Sequence, residues 1–308
     1  MKIVYHASAG PDLTARLSAL PDLNVAICAE ADAACLADLL PECEVLWHVL
    51  THCTAETIAA APKLRLIQKI GVGVNTIDLK AAKARGIPVC NLPGTNAPAV
   101  AELALALMLA VLRRVPRFDA LLRSGVWMDA GLQDGLGELR GRTVGLVGYG
   151  SIPRILTPVL IAMGCEVLYT TRTPVPDGLR VPLDELLSRS DIVSLHIPLT
   201  PETHHTIDAA ALARMKKGAI LINTARGGLV DQHALTEALR SGHLGGAGLD
   251  VFADEPVAPD EALLSLDTVV ITPHIAWITT GTFDRSFALA AENCRRLTAG
   301  ETLLHRIV

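Results

Sequence analysis

Short apolar runs alternate with longer helix-like segments along the first third of the chain. Five runs have the length and composition of strands, and they cover residues 2–5, 25–28, 45–49, 66–70 and 89–91. Between them, apolar positions recur at helical spacing in residues 32–40 and 76–84. A chain that alternates strands with helices in this way builds βαβ units, so we expect a parallel sheet.

A second series of apolar runs begins after residue 140. Its predicted strands cover residues 143–147, 166–170, 192–196, 219–223, 247–251 and 269–272. These runs are apolar almost throughout, as expected for strands whose sheet is covered by helices on both faces. Two such series predict an α/β fold with two parallel-sheet domains.

The join between the two series lies in residues 91–98 (NLPGTNAP), which hold two prolines and a glycine. This composition fits a crossover between domains. A long helix is predicted directly afterwards, over residues 99–112, with Glu102 as its only charged side chain. A helix that is apolar on nearly every side should be buried, either in a domain core or in a subunit interface.

Composition, net charge and cysteine spacing argue against several classes of protein. Half of the residues are apolar, 19% are charged and the formal net charge is −5, which argues against a disordered chain and against partners such as nucleic acid or an anionic membrane. Residues 100–112 are too short to span a bilayer, and the N-terminus lacks the apolar core of a signal peptide. The seven cysteines are scattered without CxxC spacing, so we expect reduced thiols in a cytoplasmic protein and no metal site.

A glycine-rich loop follows the predicted strand 143–147. Its sequence is Gly148-Tyr149-Gly150-Ser151-Ile152-Pro153. The first glycine permits a tight turn, the second lets the backbone approach a pyrophosphate, and the N–H groups of the next helix face the phosphates. Because the loop ends a strand and opens a helix, we predict a dinucleotide site rather than a plain structural turn.

Two prolines affect the helix after this loop. Pro153 replaces the third glycine of the dinucleotide fingerprint, and proline is tolerated there because N–H groups of a first helical turn lack partners anyway. We expect the helix to sit slightly farther from the strand. Pro158 lies deeper in the helix and should kink or shorten it.

The end of the next strand bears on the choice of cofactor. Thr171, Arg172 and Thr173 stand where an NAD site usually places Asp or Glu against the ribose hydroxyls. A guanidinium accommodates a 2′-phosphate through charge-assisted hydrogen bonds. We therefore expect NADP(H) to be preferred, with NAD(H) as the alternative if Arg172 only stacks on the adenine.

Residues that could bind a ligand or react with it follow several other predicted strands. Gly71-Val72-Gly73 follows a strand of the first series and can bring backbone N–H groups to a small carboxylate. Arg226, Glu255 and His274 each lie a few residues after one of the last three predicted strands, at the edge where parallel sheets bind ligands.

The three side chains together suit the reduction of a 2-keto acid. Arginine binds a carboxylate through two hydrogen bonds, histidine protonates the forming alkoxide, and a neighbouring glutamate favours the imidazolium. A bound nicotinamide supplies the hydride. Taken singly, Arg226 or His274 is more readily a capping or structural residue, so the prediction rests on the combination.

Six blocks of the sequence resemble the D-isomer-specific 2-hydroxyacid dehydrogenase family. They are GIPVCNLPGTNAPAVAELALALML (86–109), ELRGRTVGLVGYGSI (138–152), SDIVSLHIPLTPET (190–203), MKKGAILINTARGGLVDQHAL (215–235), GAGLDVFADEP (246–256) and TPHIAW (272–277). The resemblance implies two Rossmann-like or flavodoxin-like domains. A substrate domain of residues 1–96 and 281–308 would carry an inserted NAD(P)-binding domain of residues 97–280, with a cleft that closes on the substrate, in a homodimer.

The resemblance also implies roles for individual residues. Arg226 would bind the substrate, Glu255 would be the partner of the histidine and His274 the general acid/base. Substrate contacts would come from the backbone of Val72 and Gly73, from Leu50 and from Trp277, for which a place in the core is the equal alternative. Cofactor contacts would come, besides the glycine loop and residues 171–173, from Val100, His196, Pro198, Thr200, Thr224, Ala225 and Asp250, the last on the nicotinamide carboxamide.

Within the family, TPHIAW and the end of strand 166–170 look most like NADPH-dependent glyoxylate/hydroxypyruvate reductases. Phosphoglycerate dehydrogenase is the less favoured alternative, because residues 45–54 hold no arginine or lysine for a phosphate and we expect no C-terminal regulatory domain. Val49 and Leu50 give that loop an apolar wall, which leaves a larger aliphatic or aromatic 2-keto acid open. A non-catalytic NAD(P)H-sensing protein, like the corepressors that resemble this family, is the other alternative.

Overall fold

The computed structural model describes residues 1–127, 130–172 and 179–308. They form two compact units, the first made of residues 1–96 and 279–308 and the second of residues 97–278. Each unit is built on a parallel sheet, which confirms the predicted fold class. The division after residues 96 and 280 into a substrate domain and a cofactor domain stays a prediction.

The first unit has a five-stranded sheet in the order β2-β1-β3-β4-β5, the order of flavodoxin-like folds. Its strands are β1 Lys2–His6, β2 Asn24–Cys28, β3 Val45–His48, β4 Leu66–Lys69 and β5 Val89–Cys90. Its first helices are α1 Pro11–Ser18, α2 Ala33–Leu39, α3 Ala55–Ala59 and α4 Leu79–Ala84, with a 3-10 turn at Leu40–Glu42. Helix α4 begins three residues later than predicted because the Asp78 carboxylate accepts a hydrogen bond from the Ala81 N–H (2.8 Å) and caps it.

The second unit has a seven-stranded sheet in the order β12-β11-β10-β9-β6-β7-β8. Its strands are β6 Thr143–Val147, β7 Glu166–Thr170, β8 Leu179–Arg180, β9 Ile192–Leu195, β10 Ile220–Asn223, β11 Gly246–Leu249 and β12 Val269–Ile271. Its helices are α5 Ala97–Arg113, α6 Val115–Arg123, α7 Ala130–Gln133, α8 Ser151–Ala162, α9 Leu183–Arg189, α10 Ala209–Arg214 and α11 Gln232–Arg240, with 3-10 turns at Gly227–Leu229 and Ala262–Ser265.

The long apolar helix α5 is a core element of the second unit. Its residues Ala104, Leu107 and Met108 are buried in the same apolar cluster as Leu146 of β6 and Ile222 of β10. The buried face of α5 therefore packs in the domain core, which is one of the two positions, core or subunit interface, that the sequence left open.

Helix α8 departs from expectation, because it continues to Ala162, four residues beyond Pro158. The proline lies on the exposed side of the helix, where water can solvate the carbonyl that its missing N–H leaves without a donor. On the opposite side, Leu156 and Leu160 are fully buried and hold the helix to the sheet. Of the two effects expected of Pro158, a kink or a shorter helix, the shortening was wrong.

The chain returns to the first unit with helix α12 Thr280–Ala299. Its Phe287 stacks on Trp47 of β3 with ring centroids 5.7 Å apart. Its Asn293 amide donates a hydrogen bond of 2.8 Å to Gln68 of β4. Across the described ranges, no helix has both the length and the apolarity that crossing a membrane requires.

Candidate active site

The predicted catalytic residues follow three neighbouring strands of the second unit. Strands β10, β11 and β12 lie side by side, and Arg226, Glu255 and His274 come from the loops after them. The carboxyl ends of parallel strands share one edge of the sheet, which is where ligands bind in such folds.

Glu255 and His274 form a hydrogen-bonded pair. The distance from His274 Nδ1 to Glu255 Oε2 is 2.7 Å, and the side chains are 33% exposed for Glu255 and 15% exposed for His274. Because a carboxylate only accepts hydrogen bonds, Nδ1 carries the proton and Nε2 is left for another partner. Burial acts to raise the pKa of Glu255, but hydrogen bonds from His274 and the Phe252 N–H outweigh it and hold the pKa below its usual value.

Asp250 holds the loop that carries His274. It is fully buried, and its carboxylate accepts hydrogen bonds from the Thr272 hydroxyl (2.6 Å) and from the N–H groups of Ile275 and Ala276 (both 2.9 Å). Its carbonyl accepts the N–H of His274 (2.8 Å). Burial raises the pKa of the Asp250 carboxyl, and the hydrogen bonds to the carboxylate oppose the rise. The four hydrogen bonds also keep His274 in a left-handed backbone conformation, with φ of 56°.

Arg226 is oriented by a buried asparagine at the end of β10. The Asn223 amide donates a hydrogen bond to the Arg226 carbonyl (2.8 Å) and accepts one from the Ala225 N–H (3.0 Å). Burial lowers the pKa of the Arg226 guanidinium, and the nearby Glu255 charge opposes this. The arginine and the glutamate therefore lie in one electrostatic environment.

Gly227 lets the loops after β10 and β11 come into direct contact. A Cβ built on Gly227 would lie 1.8 Å from the carbonyl oxygen of Phe252, far inside any permitted contact. The second loop is held further by Gln232, which accepts the Ala253 N–H (2.9 Å) and donates to Glu261 (2.8 Å). Only glycine at this position brings the Arg226 loop against the loop that leads to Glu255.

Asn223, Gly227 and Gln232 were not predicted from the sequence. Asn223 and Gly227 flank the motif that contains Arg226, and an amide at a strand end next to paired glycines is a usable signal for a hydrogen-bonded turn. Gln232 has no such signal, because its two partners lie 21 and 29 residues away along the chain.

The glycine-rich loop lies at the point where the order of the strands in the sheet reverses. Strand β6 has β7 on one side and β9 on the other, which makes its end a topological switch point. Gly148 has φ of 100°, and a Cβ on it would lie 2.5 Å from the carbonyl oxygen of His196 after β9. A Cβ on Gly150 would meet nothing within 4 Å. The backbone at Gly150 is therefore open to a ligand at the start of α8.

Two buried polar atoms near this edge have no hydrogen-bond partner among the described residues. They are Nδ1 of His196 and the hydroxyl of Thr224. The other ring nitrogen of His196 lies 2.9 Å from the Ser194 hydroxyl, and burial lowers the pKa of His196 to about 4. Open space over Gly150 and unpaired polar atoms at the ends of β9 and β10 fit a dinucleotide along this edge.

Several residues predicted to contact the cofactor are exposed or half-buried. Arg172 is exposed just after β7. The pKa of Glu202 is lowered mainly by the hydrogen bond from the Thr200 hydroxyl (2.7 Å), and the charge of Arg172 adds to this lowering. The Pro198 carbonyl accepts a hydrogen bond from Thr203 (2.7 Å). Thr171 is half-buried, and Thr173 lies outside the described residues.

The other residues of the second unit that were predicted to contact cofactor or substrate differ in their burial. Tyr149 stacks on the buried Tyr169 with centroids 4.1 Å apart. Ser151 and Ile152 open α8, while Val100 is buried in α5. Ala225 and Trp277 are half-buried.

In the first unit, the backbone of Val72 and Gly73 is arranged as a pair of donors. The Gly71 carbonyl accepts the Leu92 N–H, and the Val72 carbonyl accepts the Asn91 amide (both 2.8 Å). In a trans peptide the N–H points away from the carbonyl, so the N–H groups of Val72 and Gly73 face away from these partners. Neither N–H donates a hydrogen bond within the described parts of the chain. Leu50, also in this unit, is half-buried.

Comparison with known proteins identifies the family. Residues 105–276 match the family model for the NAD binding domain of D-isomer specific 2-hydroxyacid dehydrogenases. The chain belongs to the D-isomer-specific 2-hydroxyacid dehydrogenase family. Its relatives include glyoxylate reductase of Korarchaeum cryptofilum, which is 42% identical over 86% of this chain and 83% of the relative, and hydroxypyruvate reductase of Thermotoga maritima, which is 43% identical over 78% and 80%.

Another family member, D-3-phosphoglycerate dehydrogenase of Mycobacterium leprae, is 41% identical over 95% of this chain but over only 52% of the relative. The chain thus spans about half the length of the phosphoglycerate dehydrogenases at this level of identity. This similarity covers most of the present chain and leaves nearly half of the relative without a counterpart in it.

Solved structures similar to this chain have the same fold. The TT0316 protein from Thermus thermophilus matches over 100% of both chains with a TM-score of 0.90 and 40% identity. NAD-dependent formate dehydrogenase from Staphylococcus aureus, in complex with NAD, has a TM-score of 0.90 and 28% identity over 100% and 99% of the two chains. An acyclic imino acid reductase in complex with NADPH and D-Arg has a TM-score of 0.86 and 28% identity over 100% of both. Chains similar to this one thus bind either nicotinamide cofactor.

Proposed function

We propose that this chain is an oxidoreductase that reduces small 2-keto acids, such as glyoxylate or hydroxypyruvate, with NADP(H). The observation that carries the proposal is the Glu255–His274 hydrogen bond of 2.7 Å, together with the half-buried Arg226, whose charge interacts with that of Glu255. This is an acid/base pair with a cation for a carboxylate, which is the set that reduction of a 2-keto acid requires.

Each side chain has a defined task in this proposal. Arg226 binds the substrate carboxylate and polarises the neighbouring carbonyl. His274 uses Nε2 to donate a proton to the carbonyl oxygen as that oxygen gains charge, and Glu255 stabilises the imidazolium through Nδ1. The nicotinamide, when bound, supplies the hydride. Asp250 keeps His274 in position through the four hydrogen bonds of its loop.

The preference for NADP(H) rests on Arg172. The position holds an exposed guanidinium in place of the acid that binds the ribose hydroxyls in NAD sites. The dinucleotide would run from Gly150 across the ends of β9 and β10, where His196 and Thr224 offer unpaired polar atoms. NAD(H) is the alternative, and a direct comparison of the two cofactors decides between them.

Phosphoglycerate-type substrates are the second candidate, favoured by 41% identity over 95% of this chain. Against them stands the loop of residues 45–54, which has no arginine or lysine of its own. Its half-buried Leu50 suits instead a small or aliphatic side chain. Larger 2-keto acids thus belong in the same test.

The decisive experiment is a substrate panel with both cofactors. Purified protein is mixed with NADPH or NADH and with glyoxylate, hydroxypyruvate, 3-phosphohydroxypyruvate, pyruvate and phenylpyruvate, and cofactor oxidation is followed by the loss of nicotinamide absorbance. We expect the highest kcat/KM with glyoxylate or hydroxypyruvate and NADPH. Cofactor binding without turnover of any 2-keto acid would instead support the NAD(P)H-sensing alternative.

We further propose that the protein is a homodimer. The described part of the segment after α5 exposes several large apolar side chains, namely Val115, Leu122, Val126 and Trp127, the last 81% exposed. An apolar surface of this kind is typical of subunit interfaces. Light scattering after size-exclusion chromatography measures the mass, and a mass near 32.6 kDa would contradict the dimer.

A further inference from the structure

Two of the seven cysteines lie together at the carboxyl end of β2. Cys28 is the last residue of β2, and Cys35 lies in the first turn of α2. Cys28 belongs to an apolar cluster of the first unit, and Cys35 packs against that cluster. Cys35 is half-buried, whereas Cys28 and the five other cysteines of the described chain are buried. The pair thus combines one thiol that reaches solvent with one that does not.

Asp32 brings the two thiols to one place. Its carboxylate caps α2 by accepting a hydrogen bond from the Cys35 N–H (2.9 Å). Its carbonyl accepts the Leu36 N–H (3.1 Å) and the Cys28 thiol (3.6 Å). Because side chains in a helix lean toward the turn before them, the side chain of Cys35 leans back toward this same carbonyl. The Cys28 and Cys35 thiols meet there and interact by a hydrogen bond.

The two thiols differ in their reactivity toward an oxidant. The thiolate attacks an oxidant, whereas the protonated thiol is inert. Burial raises the pKa of Cys28 to about 12, and the hydrogen bond with Cys35 adds to the rise. Cys28 is therefore a protonated thiol at neutral pH, out of contact with water. Cys35 is the thiol of the pair that an oxidant dissolved in water meets first.

We propose that Cys28 and Cys35 form a reversible oxidation site, in which Cys35 reacts with hydrogen peroxide and Cys28 then closes a disulfide with it. In the first step, the Cys35 thiolate attacks one peroxide oxygen and the O–O bond breaks. Cys35 becomes a sulfenic acid, and the released hydroxide takes up the proton that Cys35 had lost and becomes water.

The second step joins the two sulfur atoms. The Cys28 sulfur attacks the sulfenic sulfur of Cys35, the S–O bond breaks, and the hydroxyl group leaves with the Cys28 proton as a second water. In sum, two thiols are oxidised to one disulfide, and one hydrogen peroxide is reduced to two waters. Neither step needs a substrate or a cofactor, so the site is independent of the proposed reductase function.

The role of Cys28 in this site is to stop oxidation at a reversible stage. A sulfenic acid without a neighbouring thiol reacts with more peroxide and becomes a sulfinic acid, which thiols do not reduce. A disulfide, in contrast, is reduced by thiols. The site agrees with reduced thiols in the resting protein, because the disulfide forms only when peroxide is present.

The test locates the oxidised atoms by mass spectrometry. Purified protein is treated with hydrogen peroxide, its remaining thiols are blocked with N-ethylmaleimide in denaturant, and it is digested with trypsin and glutamyl endopeptidase. These proteases separate the two cysteines, because cleavage after Arg16, Glu30 and Glu42 gives the fragments 17–30 and 31–42. The two fragments are then found either linked, blocked or with added oxygen.

Three serine variants complete the design. Cys28→Ser and Cys35→Ser each remove one thiol of the pair and keep a hydrogen-bond donor in its place. Cys53→Ser is the matched control, because Cys53 is a buried cysteine of the same apolar cluster. A thermal melt of each protein before oxidation checks that it is folded.

We expect most of the wild type and of Cys53→Ser to carry linked fragments, with the link lost after dithiothreitol. Cys28→Ser should show no link and should accumulate sulfinic acid on Cys35 at the same peroxide concentration. Cys35→Ser should leave Cys28 as a thiol that the reagent blocks. Wild-type protein without the link, sulfinic acid on Cys35 at equal levels in wild type and Cys28→Ser, or oxidised Cys28 in Cys35→Ser would each overturn the proposal.

The wild type alone still decides if Cys28→Ser does not fold. Dimedone, which traps sulfenic acids, is then added together with the peroxide. It should label Cys35 and reduce the linked fraction in proportion. Dimedone on Cys28, or a linked fraction that dimedone leaves unchanged, contradicts the proposed order of the two steps.

Discussion

Replacing Gly227 by alanine should separate the loops that carry Arg226 and Glu255. The Cβ of Gly227→Ala would lie 1.8 Å from the Phe252 carbonyl oxygen and 2.5 Å from the Ala253 nitrogen, both of them backbone atoms. Ordinary contacts begin near 3.4 Å, so the two loops must move apart by about 1.6 Å, the difference between 3.4 and 1.8 Å. Neither atom belongs to a flexible side chain that could rotate away.

The neighbouring glycine provides a matched control. A Cβ on Gly228 would lie 3.0 Å from Cδ2 of Leu199, a side-chain atom that can shift by a few tenths of an ångström. Gly228→Ala makes the same chemical change one residue along the same loop. Any difference between the two variants therefore reports the contact between the two backbones.

The expected magnitude follows from the displacement. A misplacement of about 1 Å can cost on the order of 100-fold in rate, so Gly227→Ala should lower kcat/KM for glyoxylate by about 100-fold or more, equivalent to about 2.7 kcal/mol. Overpacking should also destabilise the fold by about 1–3 kcal/mol. The kcat/KM of Gly228→Ala should remain within about threefold of the wild-type value, because the close approach of its Cβ to the Leu199 side chain should cost less than about 1 kcal/mol.

The assay combines steady-state kinetics at saturating NADPH with the Kd of NADPH and a thermal melt of each variant. The Kd of NADPH should change little in Gly228→Ala, and in Gly227→Ala it shows whether the displacement reaches Thr224 and Ala225, the cofactor contacts predicted in the same loop. Equal kcat/KM values for Gly227→Ala and Gly228→Ala would refute the reasoning that the close approach of the two loops sets the geometry of the catalytic pair.

Three other substitutions test the proposed roles. His274→Gln should keep the Kd of NADPH and lose about 10²–10⁴-fold in kcat, and near-normal turnover would remove His274 from the mechanism. Glu255, whose lowered pKa keeps it ionised, can stabilise an imidazolium through the hydrogen bond to His274. Glu255→Gln keeps a hydrogen-bond acceptor but removes the charge, so it should lower kcat while leaving the Kd of NADPH near wild type, and an unchanged kcat would contradict the pairing. Arg172→Asp should move the ratio of kcat/KM values from NADPH toward NADH, and an unchanged ratio would show that Arg172 does not read the 2′-phosphate.

Much of the fold could be predicted from the sequence, because buried parallel strands are nearly continuous apolar runs. Strands β6 and β7 have the predicted limits. Predicted strands 45–49 and 66–70 extend one residue too far, since Val49 and Ile70 are buried outside the ladder. Strand β8 was missed because both of its residues are exposed, and no apolar pattern marks it.

The predicted catalytic residues could be picked out from the sequence because each follows an apolar strand, but their geometry could not. Nothing along the chain indicates that Asp250 uses its carboxylate for three hydrogen bonds to residues 272–276, or that Gly227 touches Phe252. Lys69 was taken as part of a strand, and its burial has no signature in the sequence. These features depend on contacts between segments about twenty or more residues apart, which local patterns do not report.

Because α12 belongs to the first unit, that unit cannot be completed until the end of the chain has been synthesised. Phe287 stacks on Trp47, and Asn293 bonds to Gln68, so the strands that leave the ribosome early wait for a partner made 225 residues after Gln68 and still later after Trp47. The continuous segment 97–278 has no such dependence. During translation, the face of β3 that carries Trp47 therefore stays uncovered until α12 has been made, and apolar surface that is exposed for a time in this way is prone to aggregation.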